Sequence, residues 1–497
     1  MLKITMLIYI CQCLNIRKFV YSDIRNKIQE ERMDNKSERL EFRLGMFGAF
    51  LPLLTLLGVI LALVLTGWVH TKTLWVACLA AMLVAIVLAK KPSEASEALI
   101  GGMSRRMVAI MALAWILAGI MGKLLQSSGL VDSLVWLGVN VGVSGEFLPL
   151  ITFIVAALFS TATGTSGGSI AAIGPLMLPV GVGLGASPLL MIGALMSGAF
   201  FGDNIAPISD TTIASAYTQG AEIKEVVKSR LKYAFVAGGF SIVMFIIFGI
   251  AMQSDTSTAV ELTKAVSPKG LIMIIVPAVL IFMMYRGVHL VTALMTTNAM
   301  GIVLGLVAGL LKPTSVLFAD VVHKKFGGIL YSGINGMLPI IMFTMLLLGL
   351  VGIFEKAGLF QLILDKVSPF TKKVRNAELS IFILTIVGNI ITAGSARSIV
   401  AIGPLAKDLG DRHNLDPVRN ANIMDALATG TIMFVPYNPG VMLALGIAMS
   451  TGIVANDFNM IQAMPFFFHG IGLVVVMFIA IMTGWGRKFK DEKAVTE

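Results

Sequence analysis

The residues able to do chemistry gather in one short stretch, Gly202–Thr212, which reads GDNIAPISDTT. Two carboxylates, Asp203 and Asp210, stand seven residues apart with Pro207 between them, and Asn204, Ser209, Thr211 and Thr212 add amide and hydroxyl oxygens. Seven residues put two side chains on one face of a helix. Oxygen donors of these kinds can replace the hydration shell of a small hard cation. Both flanks of the stretch are apolar. A carboxylate at membrane depth costs several kcal/mol unless it is paired or solvated, and such residues mark ion or proton pathways. The blander expectation is that Asp210 caps a helix resuming at Thr211 and that Asp203 sits at a membrane edge.

The composition sets the environment. Hydrophobic residues make up 57% and charged residues 13% of the chain, against roughly 25% charged in a soluble domain. This predicts an all-α polytopic membrane protein with no soluble catalytic domain. The net charge of +10 sits in short loops between apolar runs, where the positive-inside rule accounts for it and nucleic acid need not be invoked. Cys11, Cys13 and Cys78 have neither disulfide nor metal spacing. Residues 1–44 read as a cytoplasmic extension, disordered or upstream of a true start at Met33. A first half follows at 45–232, then connecting helices at 233–370, a second half at 371–485, and a cytoplasmic tail at 486–497. Trp68, Trp75 and Trp485 mark segment ends as interfacial aromatics do.

Within this plan the interrupted segments repeat. TGTSGGSIAAIGPL (Thr163–Leu176) and TAGSARSIVAIGPL (Thr392–Leu405) lie 229 positions apart and agree at nine of fourteen positions. At the same offset Gly181 falls on Gly410, Pro188 on Pro417, and Pro207 on Pro436. One unit was duplicated, the first copy spanning 148–218. Loops around the second copy carry Lys372, Lys373, Arg375, Lys407 and Arg412, whereas the matching loops of the first carry Glu146 or no charge. Loops 90–106 and 221–232 and the GRKFK tail also read as cytoplasmic, and only Lys312, Lys324 and Lys325 fit poorly. Equivalent loops therefore face opposite sides, which predicts an inverted-topology repeat.

The arms flanking each Gly/Ser/Thr-rich tip are about 13–17 residues, or roughly 20–25 Å of helix, short of the roughly 30 Å hydrocarbon core. Paired re-entrant hairpins followed by helices broken at Pro207 and Pro436 are expected, giving about 10–14 transmembrane segments. Irregular backbone at membrane depth survives only where it is buried in protein or lines a cavity, and matched broken segments in two halves point to a transport site.

The two copies differ in charge. FGDNIAPISDTT aligns with GTIMFVPYNPGV, so the aspartates become Ile432 and Pro439. The second copy offers instead Asp425, the tip residues Ser395, Arg397 and Ser398, and Asn438. The first half reads as the cation half. Arg397 is expected to bind a substrate carboxylate or to balance Asp203, Asp210 or Asp425. Lys123, Asp132, Glu355 and Lys356 read as interfacial, and His289 and His469 as core histidines or proton relays.

Rival classes fare poorly. GTSG at Gly164–Gly167 has the form of an intramembrane serine protease motif, but it recurs as GSAR without a matching histidine. FFGD only half-matches an intramembrane aspartyl protease. No Gly-Lys-Ser/Thr phosphate loop is present, and an asymmetric repeat pair suits alternating access better than a channel. No enzyme is indicated.

FFGDNIAPISDTTIASA (Phe200–Ala216), with the upstream TATGTSGGS (Thr161–Ser169), resembles the NhaC-type sodium/proton antiporters, over residues 45–485. The resemblance implies a multi-pass secondary carrier of the bacterial cytoplasmic membrane that exchanges Na⁺ for H⁺, with both termini cytoplasmic. It implies no cofactor beyond the transported ions. It places the ion site at Asp203, Asn204, Ser209, Asp210 and Thr211, with Asp203 and Asp210 holding Na⁺ and with Thr163, Thr165, Ser166 and Ser169 nearby. That family also contains malate/lactate antiporters and presumed amino-acid carriers, so a small carboxylate or amino acid is the alternative cargo. Membrane lipid and a second copy in a homodimer are the other partners expected, and nucleic acid is not.

Overall fold

A computed structural model describes residues 39–66, 71–252, 268–320, 325–359, 373–455 and 457–490. Cys11, Cys13, Met33, Trp68, Lys324 and Lys372 lie outside the described residues. The architecture is all-α apart from one two-stranded hairpin, β1 (Phe318–Asp320) with β2 (Lys325–Gly327). Among the described residues ten helical stretches are long and apolar enough to cross a membrane, or eleven if the bent pair Met460–Phe466 and Phe468–Thr483 forms one span.

The first helices are α1 (Gly45–Leu65), α2 (Thr71–Leu88), α3 (Pro92–Met103), α4 (Arg106–Ser127) and α5 (Leu130–Val141). The first repeat comprises α6 (Leu148–Thr163), α7 (Ser166–Gly183), α8 (Pro188–Ile205) and α9 (Asp210–Gln219). Next come α10 (Ile223–Ala251), a 3-10 stretch Pro268–Ile274 leading into α11 (Ile275–Tyr285), α12 (Leu290–Val307), the short α13 (Pro313–Val316) and α14 (Ile329–Lys356). The second repeat is α15 (Val374–Thr392), α16 (Ser395–Arg412), α17 (Pro417–Ile432) and α18 (Pro439–Ser450), followed by α19 (Phe468–Thr483).

Helix starts in the two repeats coincide to the residue at the 229 offset: Ser166 with Ser395, Pro188 with Pro417, and Asp210 with Pro439. Packing is reciprocal, α9 lying against α16 and α18 against α7. Between the hairpins the described residues hold five candidate spans, Pro188–Gln219, Ile223–Ala251, Pro268–Tyr285, Leu290–Val307 and Ile329–Lys356. An odd number of crossings inserts the second unit upside down relative to the first. The chain ends this places on one side do meet. Leu40 N donates to Lys356 O at 3.0 Å, Phe42 bridges to Ala89 and Leu415 to Phe489, and Arg105 pairs with Glu355.

Three sequence expectations change. Segment 90–106 is not a loop, because Pro92–Met103 forms a helix that packs on α14. Segment 221–232 is not one either, because α10 begins at Ile223 and carries Arg230 into the interior. Trp75 does not simply mark an interface: its indole N–H donates to Pro339 O at 2.9 Å, tying α2 to α14. The core joining α4 to α14 depends on glycine, since a Cβ at Gly333 would stand 2.6 Å from Ile120 Cα and one at Gly119 2.8 Å from Met337 Cγ.

Candidate functional site

Pro207 explains where the first repeat breaks. Continuing α8 through it would cost the hydrogen bond to the carbonyl of Asp203 and clash with that carbonyl. The residue before a proline is pushed to extended backbone, and Ala206 adopts φ −72° and ψ 126°. The chain resumes at the N-cap Ser209 and enters α9 at Asp210. The tip between α6 and α7 seats against this break: Gly164 is left-handed at φ +68°, and a Cβ there would lie 2.5 Å from Ile208 Cγ1.

Around the break sit the polar groups. Asp203 and Asn204 are buried, and neither Asp203 Oδ1 nor Asn204 Oδ1 has a hydrogen-bond partner among the described residues. The hydroxyls of Ser166, from the tip, and Ser209, from the break, neighbour the Asp203 carboxylate. Ser209 Oγ and Thr211 Oγ1 lie 2.9 Å apart. Asp210 lies near Asp203 but reaches solvent where Asp203 does not. The break re-aims the chain, so Asp210 stands exposed at the start of α9, within electrostatic reach of Asp203, Asp425 and Arg397. Asp210 is not the N-cap; Ser209 is, and its side chain makes no cap hydrogen bond.

The second break is bonded differently. Asn438, the counterpart of Ser209, accepts from Gly440 N at 2.9 Å and Val441 N at 3.2 Å, and its Nδ2 donates to Ala393 O in the second tip at 3.0 Å. Its side chain caps α18 and fastens break to tip. Ser169 Oγ donates to Ala156 O at 3.0 Å, and its counterpart Ser398 donates to Thr385 O at 3.2 Å. Both hydroxyls therefore clasp the arms of their hairpins. Thr163 bonds back to Phe159 O at 3.0 Å, and Thr165 caps α7 by accepting from Gly168 N. Ser395 opens α16 at the second tip. Beside it Arg397 is half-buried and folds over Gly394.

Arg397 balances none of the buried aspartates by contact, since no carboxylate among the described residues lies within ion-pair distance of it. Asp425 is instead matched by Arg230, at 2.7 Å, with neither side chain exposed. The Arg230 Nη1 donates to Asn204 O and to Thr212 Oγ1, both at 2.8 Å, and Nε donates to Asn422 Oδ1 at 3.3 Å. Asp425 also accepts from Asn204 Nδ2 at 3.3 Å, Ser215 Oγ at 3.2 Å and Thr429 Oγ1 at 3.1 Å. Reading 221–232 as a loop hid Arg230. The signal was present, because Arg230, Ala234, Ala237, Gly238 and Ser241 fall at helical spacing on a stripe of small residues, and that stripe is buried.

Of the two histidines, His289 is exposed and caps α12. His469 is buried edge-on to Phe201, with no hydrogen-bond partner at either ring nitrogen. Glu355 is paired with Arg105 at the end of α14. No group of three or more His, Cys, Asp or Glu side chains able to hold a metal occurs among the described residues.

Repeated broken helices among ten apolar spans define a polytopic membrane protein, with a buried carboxylate at the first break. The comparisons agree. The Na⁺/H⁺ antiporter family model matches residues 40–250 and 252–485, and the chain belongs to this family. It is 28% identical over 459 residues to the malate-2H⁺/Na⁺-lactate antiporter of Bacillus subtilis, covering 85% of this chain and 93% of that one. It is 23% identical over 389 residues to the arginine/ornithine antiporter ArcD of Halobacterium salinarum, covering 74% and 78%. With the Na⁺/H⁺ antiporter NhaC of Alkalihalophilus pseudofirmus it shares 27% over 213 residues, covering 42% and 46%.

Proposed function

We propose that this chain exchanges Na⁺ for H⁺ by alternating access, with both ions competing for Asp203. One observation carries the reading: Asp203 Oδ1 and Asn204 Oδ1 are buried acceptors without donors, facing a break that lines the first repeat. Buried polar atoms ordinarily find partners, and a dehydrated Na⁺ supplies one to both oxygens, with Ser166 and Ser209 completing the shell. Asp210, exposed at the start of α9, serves as the mouth of the site. A proton on Asp203 removes the charge that holds Na⁺, and linkage makes the exclusion mutual. Only the neutralised site passes through a low-dielectric transition at modest cost.

Positive loops gather on the side shared by Lys90, Lys91, Arg105, Lys407, Arg412 and the tail, which supports a cytoplasmic-membrane protein with that side inward. A second reading, coupling to a small carboxylate or amino acid, is favoured by Arg397, which has no contact carboxylate among the described residues, and by the organic-solute exchange named for two of the relatives.

The test is purified protein in tight liposomes enclosing a pH dye, with Na⁺ added outside and no organic solute. A Na⁺-dependent change of internal pH, lost in Asp203→Asn, supports cation exchange. Silence that malate, lactate or arginine relieves moves the assignment to the organic-solute reading.

A further inference from the structure

We propose that Asp425 is a coupling residue: it holds the Arg230 guanidinium off Asp203, so that an empty site stays uncompensated and the empty carrier cannot change sides. The inference rests on the reading that Asp203 carries the transported cation.

Arginine keeps its charge under all ordinary conditions, and Arg230 places it on the carbonyl oxygen of Asn204, the residue next to Asp203. A permanent cation thus stands beside a site meant for a mobile one. An exchanger must keep its empty form from crossing. A bare buried carboxylate does this, because a closed, water-poor intermediate strips its charge of hydration and offers no counter-charge. A guanidinium free to reach Asp203 would neutralise it from within and remove that barrier.

The geometry opposes such a move. Asp425 comes from the second repeat, and it is itself fixed by Asn204, Ser215 and Thr429. Its contact with Arg230 is a close pair with neither partner exposed. Asp203 Oδ1 meanwhile lacks any donor, so it is an acceptor to which a released guanidinium would turn. Asp425 is therefore a positioning residue rather than an ion ligand, and its partner arginine is a stand-in cation kept out of the site. Neutralising Asp425 should let Arg230 compete with Na⁺ and let the empty carrier return without a proton.

The experiment compares wild type, Asp425→Asn, Arg230→Gln and the double variant in liposomes, following proton movement by dye and Na⁺ movement by radioactive tracer. Asp425→Asn is expected to raise the Na⁺ KM about tenfold or more, as befits a competing buried charge, and to move Na⁺ without matching protons. The double variant, with no buried guanidinium, is expected to return KM and coupling towards wild type. A purely structural pair gives the opposite: the double variant is as impaired as the single one, or Asp425→Asn keeps wild-type KM and coupling. Either result overturns the inference. Should Asp425→Asn fail to fold, the double variant decides alone, with coupled exchange supporting the latch and its loss overturning it. Wild type with no Na⁺-dependent proton movement at all would instead sink the cation reading, and this inference with it.

Discussion

Ser209 and Asn438 hold the same place in the two repeats, yet only Asn438 caps the helix that follows it and ties its break to the neighbouring tip. The asymmetry assigns the repeats different work. The second break is fastened by the Asn438 side chain, while in the first Ser209 turns towards Asp203 instead of capping its own helix. Removing the second fastening should cost stability. Asn438→Ala is expected to lose about 1–2 kcal/mol, from a missing cap and a missing hydrogen bond, read as a lower Tm in detergent. Asn438→Asp keeps the cap but cannot donate to Ala393, and should fall between alanine and wild type.

The tip serines separate ligand from clasp. Ser166→Ala should weaken Na⁺ dependence and leave Tm near wild type, because its hydroxyl faces Asp203. Ser169→Ala should lower stability by about 1 kcal/mol with little change in Na⁺ KM, because its hydroxyl serves Ala156. Equal effects of the two variants on KM would contradict this division.

Asp203→Asn is expected to abolish Na⁺-driven proton movement while leaving the protein folded, since an amide fits the same space without holding either ion. Thermal unfolding with and without Na⁺ gives an independent check. Na⁺ should raise the Tm of wild type, as any ligand of the native state does, and should not raise that of the variant.

Glu378 anchors the tail. It is buried and accepts from Arg419 at 2.8 Å and from Arg487, while Arg419 also donates to Tyr233 at 2.7 Å and to Trp485 O at 3.0 Å. Glu378→Gln strands two guanidinium groups, one of them fully enclosed, and should destabilise by about 3–5 kcal/mol, visible as a large drop in Tm or in folded yield.

Gly333 tests the close approach of α4 and α14. Alanine there forces Ile120 backbone to give way, and overpacking of this kind costs about 1–3 kcal/mol. Gly58, whose added Cβ meets nothing within 4 Å, is the matched control and should tolerate alanine.

Much of this protein was legible in its sequence because membrane folding obeys one-dimensional rules. Hydropathy located the spans, since a backbone in lipid must satisfy its own hydrogen bonds within a helix. The 229-residue offset located both hairpins and both breaks, since proline acts on its own helix wherever it lies. Composition and the aspartate motif pointed to the family. What the sequence left open was which charges meet. Arg397 at the second tip was read as a ligand for a substrate carboxylate or as a counter-charge to Asp203, Asp210 or Asp425, yet it is Arg230, 195 positions from Asp425, that pairs with that carboxylate. Pairing of buried charges is decided by which helix faces which, through crossings that no local pattern records. The same holds for Asp203 and Asp210. Their spacing put them on one face of an ideal helix, and the break leaves Asp203 buried while Asp210 reaches solvent. The sequence determined that carboxylate, amide and hydroxyl groups would gather at a proline break between apolar arms. Only the tertiary structure decided which of their oxygens pair with protein groups, because that depends on which helices face one another.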